Sequence, residues 1–144
     1  ASAATIGAKR QVKVQLEIQQ NAWIEGDIFL IRRAVTNLID NAIDFSPAGA
    51  TVSIILYILH KTVQIQVHDK GPGIPEYAEE KVFEKFFSLA RPHNKKKSTG
   101  LGLAFVKEIA ELHRGRISLK NASEGGALAI LSLPLLPTPT VAAH

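Results

Sequence analysis

The sequence contains no cysteine and no long hydrophobic run, and each absence limits what the protein can be. Without cysteine the chain has neither a disulfide framework nor a thiolate metal site, and it fits a reducing compartment, so we expect a cytoplasmic domain. No stretch of about 18 apolar residues occurs, and no charged-then-apolar leader opens the chain. We therefore expect this segment neither to contact a membrane nor to direct export, and any such element would lie outside it.

The positive charge of the chain is mostly scattered. A net charge of +4 raises nucleic acid as a possible partner. Only Lys95–Lys97 form a basic block, however, and no aromatic residue lies among these lysines to stack on bases. We expect no nucleic-acid partner.

The size and balance of the chain are those of one globular domain. It has 144 residues, of which 46% are hydrophobic and 21% charged, enough to enclose a core. We expect residues 1–11 to be a lead-in and residues 12–134 to form the domain. Residues 135–144, with prolines and small side chains, are expected to be a disordered tail.

Hydrophobic periodicity predicts five strands and two long helices. The strands alternate between apolar and polar residues, and they are Val12–Ile18, Thr51–Ile58, Thr62–His68, Arg116–Asn121 and Ala127–Leu133. The two long helices run from about Asp27 to Asp44 and from Leu101 to Leu112. A short helix is predicted between them, at about Glu79–Phe87. Their inner stripes are Ile31, Val35, Leu38 and Ala42 in the first long helix and Leu101, Phe105, Ile109 and Leu112 in the second. One open sheet face and helices on the other face predict a two-layer α+β sandwich.

A polar stripe on the first long helix is a candidate ligand site. Asn37 and Asn41 lie four residues apart, with Arg33 and Asp44 on the same side. Two asparagines in a helix interior lower helix propensity, because their short amides compete for backbone hydrogen bonds. Solvated or capping amides are the ordinary alternative, which the pair by itself does not exclude.

Two glycine motifs add to this candidate. Asp69-x-Gly71-x-Gly73 follows a strand, so the carboxylate could accept from an exocyclic amine while the glycines let the backbone approach a flat ligand. An ordinary Asp-Gly-Pro turn is the alternative. Residues Thr99–Gly102 open a helix, where backbone N–H groups and the helix dipole suit a phosphate. The polar, basic segment Ser88–Thr99 before them has no periodicity, as is typical of a functional or disordered loop.

These signals occur in the order found in sensor histidine kinases. The asparagine pair, the Asp-x-Gly-x-Gly motif, the aromatic cluster of Phe83, Phe86 and Phe87, and the second glycine motif resemble the N, G1, F and G2 boxes of that family. The resemblance covers about residues 12–134. It implies the GHKL (Bergerat) fold, with a mixed five-stranded sheet and helices covering one face.

The resemblance also implies a function. The chain would be the catalytic domain of a protein-histidine kinase, which binds ATP and Mg²⁺ and donates the γ-phosphoryl group to a histidine on a separate dimerisation domain, for relay to a response regulator. The motif details are most similar to CreC-type kinases. This implies a CreB-like regulator and a cytoplasmic domain of an inner-membrane sensor, with residues 1–11 leading in from the dimerisation region.

Individual residues receive roles from the same resemblance. Asn37 and Asn41 would be catalytic and would hold Mg²⁺, and Asp69 would read the adenine amino group. Arg91 and Lys95–Lys97 would supply charge from a mobile lid formed by residues 88–99. The full set of expected nucleotide contacts is Asn41, Phe45, Asp69, Gly71, Gly73, Ile74, Phe86, Arg91, Lys97, Thr99, Gly100, Leu101 and Gly102.

Two positions depart from the family pattern, and a third distinguishes the chain from ATP-hydrolysing relatives of the same fold. Asp44 stands where many members have a phosphate-contacting lysine, and Ser98 stands where a glycine often opens the last box, so the phosphate contacts remain open. Asn37 stands four residues before Asn41, where ATP-hydrolysing relatives such as gyrase and Hsp90 carry a glutamate that activates water, unless they place it elsewhere in the pocket. Because an amide has no useful basicity, we expect phosphoryl transfer rather than hydrolysis. The alternatives are an anti-sigma-factor serine kinase of the same fold, against which Asn37 argues, and a degenerate module that binds ATP or a partner without chemistry.

Overall fold

The structure is a computed structural model that describes residues 11–87 and 102–137. Its elements are β1 (Lys13–Ile18), α1 (Ile28–Phe45), β2 (Thr51–Leu59), β3 (Thr62–His68), α2 (Gly102–Leu112), β4 (Arg116–Asn121) and β5 (Ala127–Pro134), with a 3₁₀ helix at Glu76–Ala78 between β3 and α2. Within these two ranges, no helix is both long enough and apolar enough to cross a membrane.

The strands form one mixed sheet of five, in the order β1-β2-β3-β5-β4. β1 is parallel to β2 because α1 provides the crossover between them, and the other neighbours are antiparallel. At one end of this sheet β1, β2 and β5 begin and β3 and β4 finish, and we call it the site end. The predicted mixed five-stranded sheet is confirmed.

Both long helices pack on the same face of the sheet. In β3, Val63, Ile65 and Val67 are buried, while Gln64 and Gln66 between them lie on the open face and are only partly buried. The helices supply the other half of the core, whose largest fully buried side chains include Ile43, Ile109, Leu131 and Leu133. Burying one such side chain contributes about 1.5–3 kcal/mol, so this layer holds the helices in place. The predicted two-layer α+β sandwich is therefore confirmed.

The ends of α1 are set by side-chain caps. Asp27 is the N-cap, and its carboxylate accepts from the backbone N–H groups of Phe29 (2.9 Å) and Leu30 (3.2 Å), as the sequence predicts. At the other end the Ser46 hydroxyl donates to the Ala42 carbonyl at 2.9 Å, and a proline follows. Helix α1 consequently ends just where the chain must turn at the site end.

The buried side of α2 differs from the predicted stripe. Of the four residues in that stripe, Ile109 is buried, Phe105 is 37% exposed, Leu112 is 69% exposed and Leu101 lies outside the described residues. The helix instead buries Ala104, Val106 and Ala110 beside Ile109. Two stripes at helical spacing share Ile109, and the buried one places Ile109 and Ala110 in the same hydrophobic cluster as Leu38 of α1, which periodicity alone could not distinguish.

The short helix predicted at Glu79–Phe87 is wrong in type and extent. The structure has a 3₁₀ helix at Glu76–Ala78, then separate turns with bonds such as the Glu84 N–H to the Lys81 carbonyl at 2.9 Å. Phe86 has a φ of 69°, which breaks any helical run there.

The chain also remains ordered beyond the predicted boundary at residue 134. The Leu135 N–H donates to the Lys61 carbonyl at 3.0 Å, and the Leu136 N–H donates to the Trp23 carbonyl at 2.7 Å. The rest of the predicted tail, residues 138–144, and the first ten residues of the lead-in lie outside the described residues.

Candidate functional site

The predicted motifs that the structure describes meet at the site end of the sheet. The carboxyl-terminal end of α1 lies beside the loop that follows β3. The two are so close that a side chain on Gly71 would collide with the Phe45 carbonyl. The start of α2 joins them, since the Asn37 side-chain amide donates to the Gly102 carbonyl at 3.4 Å. Segments separated by up to 65 residues are thus brought together.

Asp69 is the buried acid of this site. It comes directly after β3 and is only 5% exposed. Its Oδ1 accepts from the backbone N–H groups of Gly71 (2.9 Å) and Ala127 (3.0 Å). Among the described residues no hydrogen bond to Oδ2 is found. One carboxylate oxygen therefore fixes the group, and the other is left to accept from a ligand.

Burial changes the acidity of this group. Desolvation raises the pKa of Asp69 above its ordinary value, and the two backbone N–H donors oppose that rise without cancelling it. A buried carboxyl with a raised pKa is a typical functional-site feature.

The glycines of this loop have contacts within the protein. Gly71 lies against the Phe45 carbonyl, and Gly73, with a φ of 84°, has the Asn121 Oδ1 at 2.5 Å from the place where a Cβ would lie. Both positions therefore require glycine for packing or for backbone conformation. Their close approach to a ligand stays a prediction.

Gly102 differs from these two. It begins α2, and apart from its chain neighbours and the backbone of its own helix, nothing in the described part of the chain lies within 4 Å of where its Cβ would be. Glycine weakens a helix, so packing among the described residues does not explain its presence. An anionic ligand close to this helix start would explain it.

The amides of α1 could hold a divalent cation. Asn37 and Asn41 are partly buried neighbours on one side of the helix. Because the Asn37 nitrogen donates to Gly102, its oxygen is the atom left for a metal, and amide oxygens suit Mg²⁺ when water and phosphates complete the shell. Over residues 11–87 and 102–137, no group of three or more histidine, aspartate or glutamate side chains is arranged to hold a metal.

Asp40, which sequence reasoning missed, is a second perturbed acid on α1. Its Oδ1 is buried and finds no hydrogen-bond partner among residues 11–87 and 102–137. Desolvation raises the pKa of Asp40, the charge of Asp44 raises it further, and Arg33 partly opposes the rise. The i, i+4 spacing of the two aspartates was a visible signal.

Two polar residues that the sequence did not single out hold the loop after β3. The Ser46 hydroxyl, fully buried, accepts from the Lys70 N–H at 3.3 Å, and Asn121 binds both backbone groups of Ile74. The sequence assigns neither residue a contact, because each one binds backbone groups that only the tertiary structure brings to it.

The aromatic motif is split between core and surface. Phe83 and Phe87 pack against a small cluster of buried residues that includes Ile74 and Val82. The spacing of Phe86 with Val82, Phe83 and Phe87 predicts a core position, but the side chain is 75% exposed, and its contact with a nucleotide stays a prediction.

The remaining predicted contacts lie outside the described residues. These are Arg91, Lys95–Lys97, Thr99, Gly100 and Leu101, together with the rest of the predicted lid, residues 88–99.

The chain resembles known kinase domains. Residues 26–137 match the family described as histidine kinase-, DNA gyrase B-, and HSP90-like ATPase. The chain is 47% identical over 104 residues to the sensor protein CreC of Escherichia coli (strain K12). The match covers 72% of this chain and 22% of CreC. The chain spans well under half the length of the curated relatives it matches.

Two solved structures have the same fold. One is the mycobacterial sensor histidine kinase MprB, with 30% identity and a TM-score of 0.81 over 95% of this chain and 91% of that one. The other is the ATP binding domain of PrrB from Mycobacterium tuberculosis, with 33% identity and a TM-score of 0.73 over 94% and 90% of the two chains.

Proposed function

The chain belongs to the histidine kinase-, DNA gyrase B-, and HSP90-like ATPase family, and from this premise we propose that it is the ATP-binding catalytic domain of a sensor histidine kinase. In the proposed reaction, an imidazole nitrogen of a histidine on a separate dimerisation domain forms a bond to the γ-phosphorus of ATP. The bond to the bridging oxygen of ADP breaks, and the imidazole proton passes to solvent.

The observation that carries ATP binding is the fixed carboxylate of Asp69. Its Oδ1 is held by two backbone donors while Oδ2 remains for a ligand, so the group presents a single acceptor in a buried position. The exocyclic amine of adenine is a donor that fits this acceptor, whereas guanine places a carbonyl oxygen at the same ring position. ATP is therefore favoured over GTP.

The other proposed contacts surround this acceptor. Ile74, which is buried beside the loop, and Phe45 at the end of α1 line the adenine pocket. Gly102 lets the helix start of α2 approach the phosphates, and the amide oxygens of Asn37 and Asn41 hold Mg²⁺. When bound, the ion neutralises charge on the phosphates.

Transfer is favoured over hydrolysis because Asn37 cannot act as a base. Its amide nitrogen is directed to the Gly102 carbonyl, so this residue braces α1 against α2. None of the histidines in the described part of the chain is placed as an acceptor. His60 lies in the β2–β3 turn, His68 contacts the Gly125 carbonyl at 2.9 Å, and His113 bonds to backbone groups at the end opposite Asp69.

The partners follow from the proposed reaction. They are the kinase's own dimerisation domain and a response regulator, which the 47% identity to CreC suggests is CreB-like. The same similarity supports a cytoplasmic position in a membrane sensor whose transmembrane part lies outside this chain.

The test is a transfer assay in trans with γ-labelled ATP and Mg²⁺. The chain should label the histidine of the dimerisation domain of its own kinase. Asn41→Ala should abolish labelling by removing a metal ligand, whereas Gln20→Ala, changed at the opposite end of the sheet, should not. Rapid ATP hydrolysis by the chain alone, or stable acid-labile phosphate on one of its own histidines, would contradict the proposal.

A further inference from the structure

The side chain of Asn121 makes a two-point contact with the backbone of the loop after β3. Its Oδ1 accepts from the Ile74 N–H at 2.6 Å, and its Nδ2 donates to the Ile74 carbonyl at 2.9 Å. The two residues are 47 positions apart, and Asn121 is the last residue of β4. One amide group thus replaces the pair of hydrogen bonds that a neighbouring strand would make.

The same amide requires glycine at the position before Ile74. The Asn121 Oδ1 lies 2.5 Å from where a Cβ of residue 73 would be, so no side chain fits there. Gly73 also has a φ of 84°, which suits glycine. The contact therefore specifies both the position of Ile74 and the backbone turn that leads to it.

The other end of the loop is held by the same hairpin. Asp69 Oδ1 accepts a hydrogen bond from the Ala127 N–H at 3.0 Å, and the Asp69 N–H donates to the Ala127 carbonyl at 3.0 Å. Ala127 is the first residue of β5, which pairs with Asn121 in the β4–β5 ladder. The paired residues Asn121 and Ala127 thus fix Ile74 and Asp69 relative to each other.

We infer that Asn121 is a positioning residue for base recognition: through Ile74 and Gly73 it sets the distance between the pocket wall and the Asp69 carboxylate. This inference rests on the proposed ATP site and adds a residue that need not contact the nucleotide. Loss of the amide should loosen the wall around the base while leaving the phosphate contacts of α2 in place.

The experiment compares nucleotide binding to the 144-residue chain and its Asn121→Ala variant. Losing two backbone hydrogen bonds should weaken ATP and adenosine binding by a similar factor of about ten and lower the ATP-to-GTP affinity ratio by about the same factor. The dependence of ATP binding on Mg²⁺ concentration should not change. Loss of stability alone would not alter the ATP-to-GTP ratio in the folded fraction.

A matched control is Gln20→Ala. Gln20 Oε1 also accepts a distant backbone N–H, that of Ile58 at 3.3 Å, but at the opposite end of the sheet, so its removal should leave the ratio unchanged. If Asn121→Ala does not fold, Asn121→Asp serves, because it keeps the acceptor for the Ile74 N–H and replaces the donor by a carboxylate oxygen, which repels the Ile74 carbonyl. Its effect on the ratio should lie in the same direction.

The amide exchange of Ile74, measured by NMR, tests the contact directly. Exchange should be faster in the Asn121 variants and unchanged in Gln20→Ala. An unchanged ATP-to-GTP ratio in folded Asn121 variants would overturn the inference. Absence of ATP binding by the unaltered chain would instead overturn the proposed function.

Discussion

At the scale of single residues, the two oxygens of Asp69 have different tasks, and this makes the result of a substitution predictable. In Asp69→Asn, the amide oxygen should take the place of Oδ1, because two backbone N–H groups require an acceptor there. The new NH₂ group would then face the donor amine of adenine. We expect ATP binding to weaken by about 1.5–3 kcal/mol and GTP binding, which presents an oxygen, to weaken less or improve. Calorimetric titration with both nucleotides measures this, and equal effects on ATP and GTP would contradict the assigned role.

The raised pKa of Asp69 also predicts how the stability of Asp69→Asn compares with that of the unaltered chain. Because the folded-state pKa lies above the unfolded value, the contribution of Asp69 to stability is fully present below the unfolded pKa and is lost as pH rises through the folded one. The ionised carboxyl is thus unfavourable for folding at neutral pH. Asp69→Asn should be as stable as the unaltered chain or more stable at pH 7, as is common for residues retained for function.

Asp40 supports an independent prediction that replacing an aspartate by asparagine stabilises the fold at neutral pH. Its pKa is raised by desolvation and by Asp44, so ionisation at neutral pH opposes folding. Asp40→Asn should raise the free energy of unfolding at pH 7, and the gain should shrink as pH falls toward the unfolded pKa. Urea denaturation at several pH values measures the gain. A constant difference between the two proteins across this range would show that ionisation is not the cause.

At the scale of elements, the β2–β3 hairpin contains avoidable strain. His60 and Lys61 form its two-residue turn with φ values of 50° and 63°, a conformation for which Asn-Gly is preferred. Replacing the pair by Asn-Gly should relieve about 1 kcal/mol of backbone strain. The net gain in stability is smaller, because glycine raises the conformational entropy of the unfolded chain. Thermal unfolding measures the change. Because this turn lies at the end opposite Asp69, ATP affinity should not change, and a change would indicate coupling between the two ends.

At the scale of the whole molecule, the site joins α1, the loop after β3, the start of α2 and the β4–β5 hairpin, so a ligand bound there should oppose global unfolding. ATP·Mg²⁺ at a hundred times its Kd should add about 2.7 kcal/mol by mass action. This corresponds to a rise in Tm of roughly 5–10 °C for a chain of this size. GTP at the same concentration should give a smaller rise. Differential scanning fluorimetry tests this, and no rise with ATP would count against a site that joins these elements.

The sequence by itself determined the order of the long elements, the buried face of β3 and the motif residues, because strand alternation and helix caps are local properties. In the edge strand β1 the same alternation leaves Leu16 and Ile18 exposed, because no element that the structure describes covers them. Asp27 as a cap and Val63, Ile65 and Val67 as a buried face needed no knowledge of distant residues. The tertiary structure decided which side of α2 is buried, since the predicted and the observed stripes share Ile109 and periodicity does not separate them. It also decided how the site is held, because the contact between Asn121 and Ile74 joins residues 47 positions apart. No local pattern encodes such a contact, which exists only once the sheet has brought β4 beside β5 and both beside the loop after β3.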